Sequence, residues 1–122
     1  MKTFRDIIAW QKSYQLTLKI YQYTGSFPKS EEFGLKSQIR RASLSIISNI
    51  AEGFKRTCLG DRLKFYNLAE ASLEEVKCQT LLSHDLTYFT SEQFKELVFL
   101  EEESGRVLNG WIRSQSLQRL TP

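Results

Sequence analysis

Chemistry in a chain of 122 residues needs side chains that ionise, attack or ligate, and this sequence holds few of them in a useful pattern. His84 is the single histidine, with Asp85 beside it. Neighbours on a helix point about 100° apart, so the two do not make a base and its orienting partner. Near a helix C-terminus a lone histidine serves as a cap or a surface group. Glu101, Glu102 and Glu103 are contiguous, yet on a helix they fan around the axis and do not converge on a metal. A di-iron bundle needs two Glu-x-x-His pairs, and one histidine does not supply them. The two cysteines, Cys58 and Cys78, form no C-x-x-C and no zinc-type cluster; they read as buried or idle thiols of a reducing compartment. There is no P-loop and no G-x-S-x-G. The expectation is a protein that is not an enzyme and holds no cofactor or metal.

What remains is cationic. Lys36, Arg40 and Arg41 fall within about two helical turns. Lys55 and Arg56 would close that helix, and Arg62 with Lys64 would open the next. Lys12 and Lys19 are seven apart and share a helix face. The net charge is only +3, but residues 1–64 carry twelve Lys/Arg against five Asp/Glu, whereas residues 65–122 carry five against nine. In an antiparallel bundle this asymmetry should appear as a basic side and an acidic side. Phosphate contact needs cations gathered on one surface and no fixed motif. Lys36, Arg40, Arg41, Lys55 and Arg56 are the candidates for it. The same residues also suit a solvated face, and Lys55 and Arg56 fit the negative end of a helix. A basic side attracts a polyanion or the acidic side of a second copy equally well.

The elements that would position these residues are four helices. The first runs from about Arg5 to Thr24, behind a capping box spaced as Thr3 and Asp6. Its apolar stripe is Ile7, Trp10, Tyr14, Leu18 and Tyr21; exposed aromatics can stack on bases, but this helical spacing predicts core packing. Gly25 to Pro28 make the turn. The second helix runs from about Ser30 or Glu32 to Lys55, with Leu35, Ile39, Ala42, Ile46, Ile50 and Gly53 on one face. Leu44, Ile47 and Ala51 add a second apolar strip, which suggests contacts beyond its own bundle. The third spans about Gly60 or Asp61 to Asp85, with Phe65, Leu68, Ser72 and Val76 together and Leu63, Tyr66, Leu73 and Leu81 widening the face. The fourth spans about Ser91 to Ser116 behind a Thr90–Gln93 box, with Phe94, Leu97, Val98, Leu108 and Ile112 facing one way. Helices of roughly 20 to 25 residues joined by a few residues must lie antiparallel to their neighbours. The fold class is all-α, an antiparallel up-and-down four-helix bundle.

Composition agrees with one domain over 1–122. Hydrophobic residues are 41% and charged residues 25%, the balance of a globular chain that buries a core without disulfides. The start lacks a signal-type apolar run. The most apolar stretch, 42–54, is too short and too polar to span a bilayer. A cytoplasmic protein with no membrane partner is expected.

The segment Ser45-Ile46-Ile47-Ser48-Asn49-Ile50-Ala51-Glu52-Gly53-Phe54-Lys55-Arg56 resembles the signature of the 23S rRNA intervening-sequence family, also called the four-helix-bundle protein family. Phe4-Arg5-Asp6 with Trp10-Gln11-Lys12 is similar to that family's opening. Gln38-Ile39-Arg40-Arg41-Ala42 precedes the signature in the expected place, and 65–75 is similar to its third helix. The resemblance implies a small four-helix bundle, and homopentameric rings are formed by related proteins. It also implies a setting in nucleic-acid biology: some members are encoded inside insertions in ribosomal RNA genes. A related group are accessory proteins of diversity-generating retroelements, which bind nucleic acid and a reverse transcriptase through basic surfaces. Self, RNA or DNA, and a nucleic-acid-processing protein are therefore the implied partners. Within the signature, Gly53 would admit a neighbouring helix, and Asn49 would be partly buried with a hydrogen-bond partner. Glu52 and Arg56 have ion-pair spacing. The strip Asn49, Ile50, Ala51, Glu52, Gly53 and Phe54 reads as structural, setting register within the bundle or between subunits, with a binding site as the alternative.

Overall fold

The computed structural model describes residues 1–117. Four helices are present: α1 (Ile8–Thr24), α2 (Leu35–Lys55), α3 (Leu59–Asp85) and α4 (Ser91–Leu117). Each packs on two neighbours, α1 on α2 and α4, and α3 on α2 and α4, with no close approach across the diagonals among the described residues. Short connections force successive helices to run antiparallel, and the result is an up-and-down four-helix bundle.

Helix starts follow local chemistry. The Thr3–Asp6 box forms, but it caps a single 3-10 turn, Phe4–Asp6, rather than α1. Ile7 is extended there (φ −78, ψ 119), so the chain bends before α1 begins. Pro28 leads a second 3-10 turn, Lys29–Glu31. Gly34 is non-helical at φ −108, ψ −117, which delays α2 to Leu35 rather than Ser30 or Glu32. The Thr90–Gln93 box closes with two reciprocal bonds of 3.0 and 3.1 Å. Between α3 and α4, the amide of Tyr88 donates to Ser83 O at 2.8 Å and that of Thr87 to His84 O at 2.9 Å. This is the Schellman pattern, with Thr87 at φ 65 where glycine is usual.

The core departs from the sequence expectation on two helices. On α1 the buried face is Ala9, Ser13, Leu16, Thr17, Ile20 and Thr24. Tyr14, Leu18 and Tyr21 point out at 41%, 54% and 39% exposure, and Trp10 is half-buried. The predicted stripe is thus about a quarter-turn away from the core. Hydroxyls explain the difference. Thr17 Oγ1 donates to Ser13 O at 2.9 Å and Thr24 Oγ1 to Ile20 O at 2.7 Å, so both threonines enter the core already satisfied, whereas the small Ser13 hydroxyl is buried with no partner among the described residues. On α3 the buried face is Tyr66, Ala69, Leu73, Val76, Thr80 and Ser83, and Leu68 and Leu81 are exposed. On α2, Ile39, Ala42, Ile46, Ile50 and Gly53 are buried as expected, with Leu35 half-buried and Ser43 added. On α4, Leu97 and Leu108 are buried with Glu101, Ser104 and Gln115, while Phe94, Val98 and Ile112 are half-buried.

Candidate nucleic-acid interface

The five candidate cations are all on α2 or its end, but they do not form one cluster. Nineteen residues separate Lys36 from Lys55, about 28 Å along a helix axis. Lys36 pairs with Glu32 at 3.0 Å. Arg40 is turned back onto α1: Nε donates to Thr24 Oγ1 at 2.8 Å and a terminal guanidinium nitrogen to Tyr21 O at 3.0 Å. Its guanidinium also lies 4.7 Å from the Tyr21 ring centre. Tyr21 O is one of the last carbonyls of α1, so Arg40 caps that helix as well as carrying charge. Arg56 lies 4.0 Å from Glu52 and 4.6 Å from the Phe65 ring centre. Arg41 and Lys55 are exposed and have no ion pair among the described residues. Two cations outside the five candidates, Lys2 and Arg62, sit at the Lys55 end. Lys2 lines a shared pocket with Lys55, and Arg62 Nε donates to Arg56 O at 2.7 Å, bracing the α2–α3 joint. Lys12 and Lys19 are neutralised across the bundle by Glu103 at 3.5 Å and Glu96 at 3.3 Å. Glu96 also accepts from Tyr23 Oη, and that hydrogen bond, with Lys19 beside it, holds its carboxyl below the usual range.

The signature divides into an inner and an outer half. Gly53 is buried against α3, and a Cβ there would fall 2.6 Å from Cε1 of Tyr66. Asn49 Nδ2 donates to Ser45 O at 2.8 Å and lies 3.0 Å from Ser45 Oγ. Ser45 Oγ in turn bonds Ser72 Oγ on α3 at 2.9 Å. Together with fully buried Ile50, these residues set the α2–α3 contact. Ala51, Glu52 and Phe54 line a pocket of about 460 Å³ with Lys2, Thr3 and Phe4; Glu52 is exposed, and half-buried Phe54 also packs against the core.

The family model for the 23S rRNA-intervening sequence protein matches residues 5–110, the span that runs from the N-terminal turn through most of α4. The chain belongs to this family. Its fold is also that of a solved structure, a protein of unknown function from the S23 ribosomal protein family of Bacteroides thetaiotaomicron. The two are 24% identical and superpose with a TM-score of 0.80, over 89% of this chain and 98% of that one. A search of the curated proteins finds no match. Among the described residues of this family member, no helix is long and apolar enough to cross a membrane.

Within the family fold, charge is sorted by helix. Ile8–Thr24 contains no acidic residue, and α2 has only Glu52. Asp61, Glu70, Glu74, Glu75, Asp85 and five further glutamates lie on α3 and α4. Cys58 and Cys78 are both exposed and unbridged. His84 stacks on Phe94 at 4.0 Å, with Nδ1 3.5 Å from Asp85.

Proposed function

We propose that this chain is a non-enzymatic bundle that binds nucleic acid through its α1–α2 side and assembles with copies of itself, as a ring of five, to multiply that surface. The observation that carries the reading is the sorting of charge: acids are absent from α1 and nearly absent from α2. Arg41, Lys55 and Lys2 stand in solvent on that side, free to meet phosphates. Five copies at +3 each would carry about +15, and attraction for a polyanion grows with summed charge. Self-assembly draws support from exposed apolar side chains on other faces, Leu81 and Leu82 of α3 and Phe99 of α4. The same side chains favour a second reading, in which the protein assembles or docks a protein partner without touching nucleic acid.

The two readings separate on salt. A labelled structured RNA is titrated with nuclease-treated protein, and anisotropy is followed at several salt concentrations. Arg41→Glu/Lys55→Glu is the informative variant, because Arg40 ties two helices together and its loss would confuse folding with binding. Affinity that falls steeply with salt and is lost in the variant supports the first reading. Absence of binding at low salt by correctly assembled protein leaves the second.

A further inference from the structure

Resting on the nucleic-acid reading, we infer that the α1–α2 face takes unpaired nucleotides of a single strand, stacking bases on a row of aromatic rings between two cationic ends. Three of the rings, Trp10, Tyr14 and Tyr21, are those that sequence periodicity assigned to the core, and Phe4 joins them. Phe4 meets Trp10 edge-on at 4.9 Å, and Trp10 stacks on Tyr14 at 4.7 Å. Tyr21 follows two turns on, about 10 Å further along the helix. Tyr14 and Tyr21 are exposed, and Trp10 is half-buried. Phe4 and Trp10 also pack against the core edge, but Tyr14 and Tyr21 lie outside the core face of α1, which is built from smaller residues.

Charge distinguishes this row from an ordinary apolar patch. At its far end the Arg40 guanidinium lies over Tyr21, 4.7 Å from the ring centre, and adds a positive charge beside that ring. At its near end the row runs into the pocket of about 460 Å³, where Phe4, Ala51 and Phe54 are apolar and Lys2 and Lys55 are cationic. Glu52 is the one acid among the lining residues, and Arg56 lies 4.0 Å from it; Asp6 beside them accepts from the amides of Lys2 and Thr3. That volume falls in the range of small-ligand clefts and admits one base with its phosphate toward the lysines. A duplex keeps its base faces stacked inside and would leave the rings unused, whereas a single strand exposes them. A protein partner for this face would need to be acidic and aromatic-seeking at once, and the acid-free α1 gives it no counter-charge of its own to pair with cations.

The test compares fluorescein-labelled oligouridine with duplex RNA of equal length at one salt concentration. In the Trp111→Phe background Trp10 is the sole tryptophan, so its fluorescence reports contact at the row. Oligouridine is expected to quench Trp10. Tyr14→Ala/Tyr21→Ala is expected to weaken oligouridine binding by about 25-fold or more, from at least fivefold per ring, and to leave duplex affinity unchanged. Tyr14→Phe/Tyr21→Phe should bind as the parent does, because stacking uses the ring and not the hydroxyl. Both tyrosines are at the surface, and Arg40 keeps its bonds to Thr24 and the Tyr21 carbonyl without the Tyr21 ring, so the fold should survive; circular dichroism checks this. Equal loss for both RNAs, or loss for neither while salt-dependent binding persists, overturns the stacking row and leaves the nucleic-acid reading standing. Failure of both RNAs to bind overturns both. A fall in oligomer size by sedimentation in the alanine variant, with oligouridine affinity intact, overturns the row and assigns the face to a second copy.

Discussion

Glu101 shows how one buried residue can set a response of the whole chain. It is 3% exposed, and Thr80 Oγ1 donates to its Oε2 at 2.6 Å. Burial pushes its carboxyl up to about 7; the Thr80 bond and the Lys77 charge pull the other way, and Glu102 and Glu74 add to the rise. In the unfolded chain the group titrates near 4.5. Below that pH both states hold the proton. Between there and about 7 only the folded state does, so stability falls as pH rises through this window and levels off above it. The loss should be on the order of 3 kcal/mol. Glu101→Gln keeps an acceptor for Thr80 and removes the charge. Urea unfolding at pH 5 and pH 8 should show the parent weaker at pH 8 and the variant nearly indifferent; a parent equally stable at both would sink this assignment. Gly53 is governed by space instead. Alanine there gains about 1 kcal/mol of helix propensity, but its Cβ would lie 2.6 Å from the fully buried ring of Tyr66. Overpacking typically costs 1–3 kcal/mol and wins when the neighbour cannot move. Gly53→Ala should therefore lower the urea midpoint, by about 1 kcal/mol of stability. Neither role is fully visible in the text of the sequence. The glycine was legible as a site of close approach because it shares the stripe of Ile39, Ile46 and Ile50, but Glu101 was hidden within a run of three glutamates until the helix turned one of them inward.

At the scale of elements, long helices with short connections were legible, and so was the bundle they impose. What was not legible was which face of α1 turns inward. Apolar periodicity ranks Trp10, Tyr14 and Leu18 above Thr17 and Thr24, yet a hydroxyl that bonds a carbonyl in the previous turn, as both threonines do, enters a core at little cost. Thr17 adds a reason of its own, since its Oγ1 also lies 3.2 Å from Ser43 O on α2. The aromatic row was therefore present in the sequence, but its exposure was not. The α3–α4 turn carries the clearest element-scale prediction. Thr87 holds φ 65 as the left-handed residue of the Schellman turn. A β-branched residue there costs about 1–2 kcal/mol, which glycine does not incur. Its side chain bonds only the carbonyl of Leu86, in solvent, at 2.6 Å. Thr87→Gly should stabilise the protein by about 1 kcal/mol after the greater entropy of glycine in the unfolded chain is subtracted. Thermal unfolding should show a rise of a few degrees; an unchanged or lowered midpoint would mean that the threonine conformation is not strained.

For the whole molecule, charge serves two tasks that salt can separate. Lys12–Glu103 and Lys19–Glu96 join α1 to α4 at the surface, where such pairs contribute between nothing and about 1 kcal/mol. The side chains of Lys2, Arg41 and Lys55 form no ion pair among the described residues. The candidate cations were legible one by one in the sequence, but this division was not, because it depends on which of them the fold turns toward an acid. It predicts different salt responses for folding and binding. If about three phosphates of a single strand are neutralised, log affinity falls with log salt at a slope of about −2, and a fourfold rise in salt costs roughly 20-fold in affinity. Over the same rise the unfolding midpoint should move by no more than a few degrees, since the ion pairs that are screened contribute little. Lys55→Gln should flatten the binding slope by about 0.7 and leave the midpoint where it was. A variant that lowers the midpoint and leaves the slope unchanged would put Lys55 among the residues that hold the bundle together, and move the phosphate contacts elsewhere on its surface.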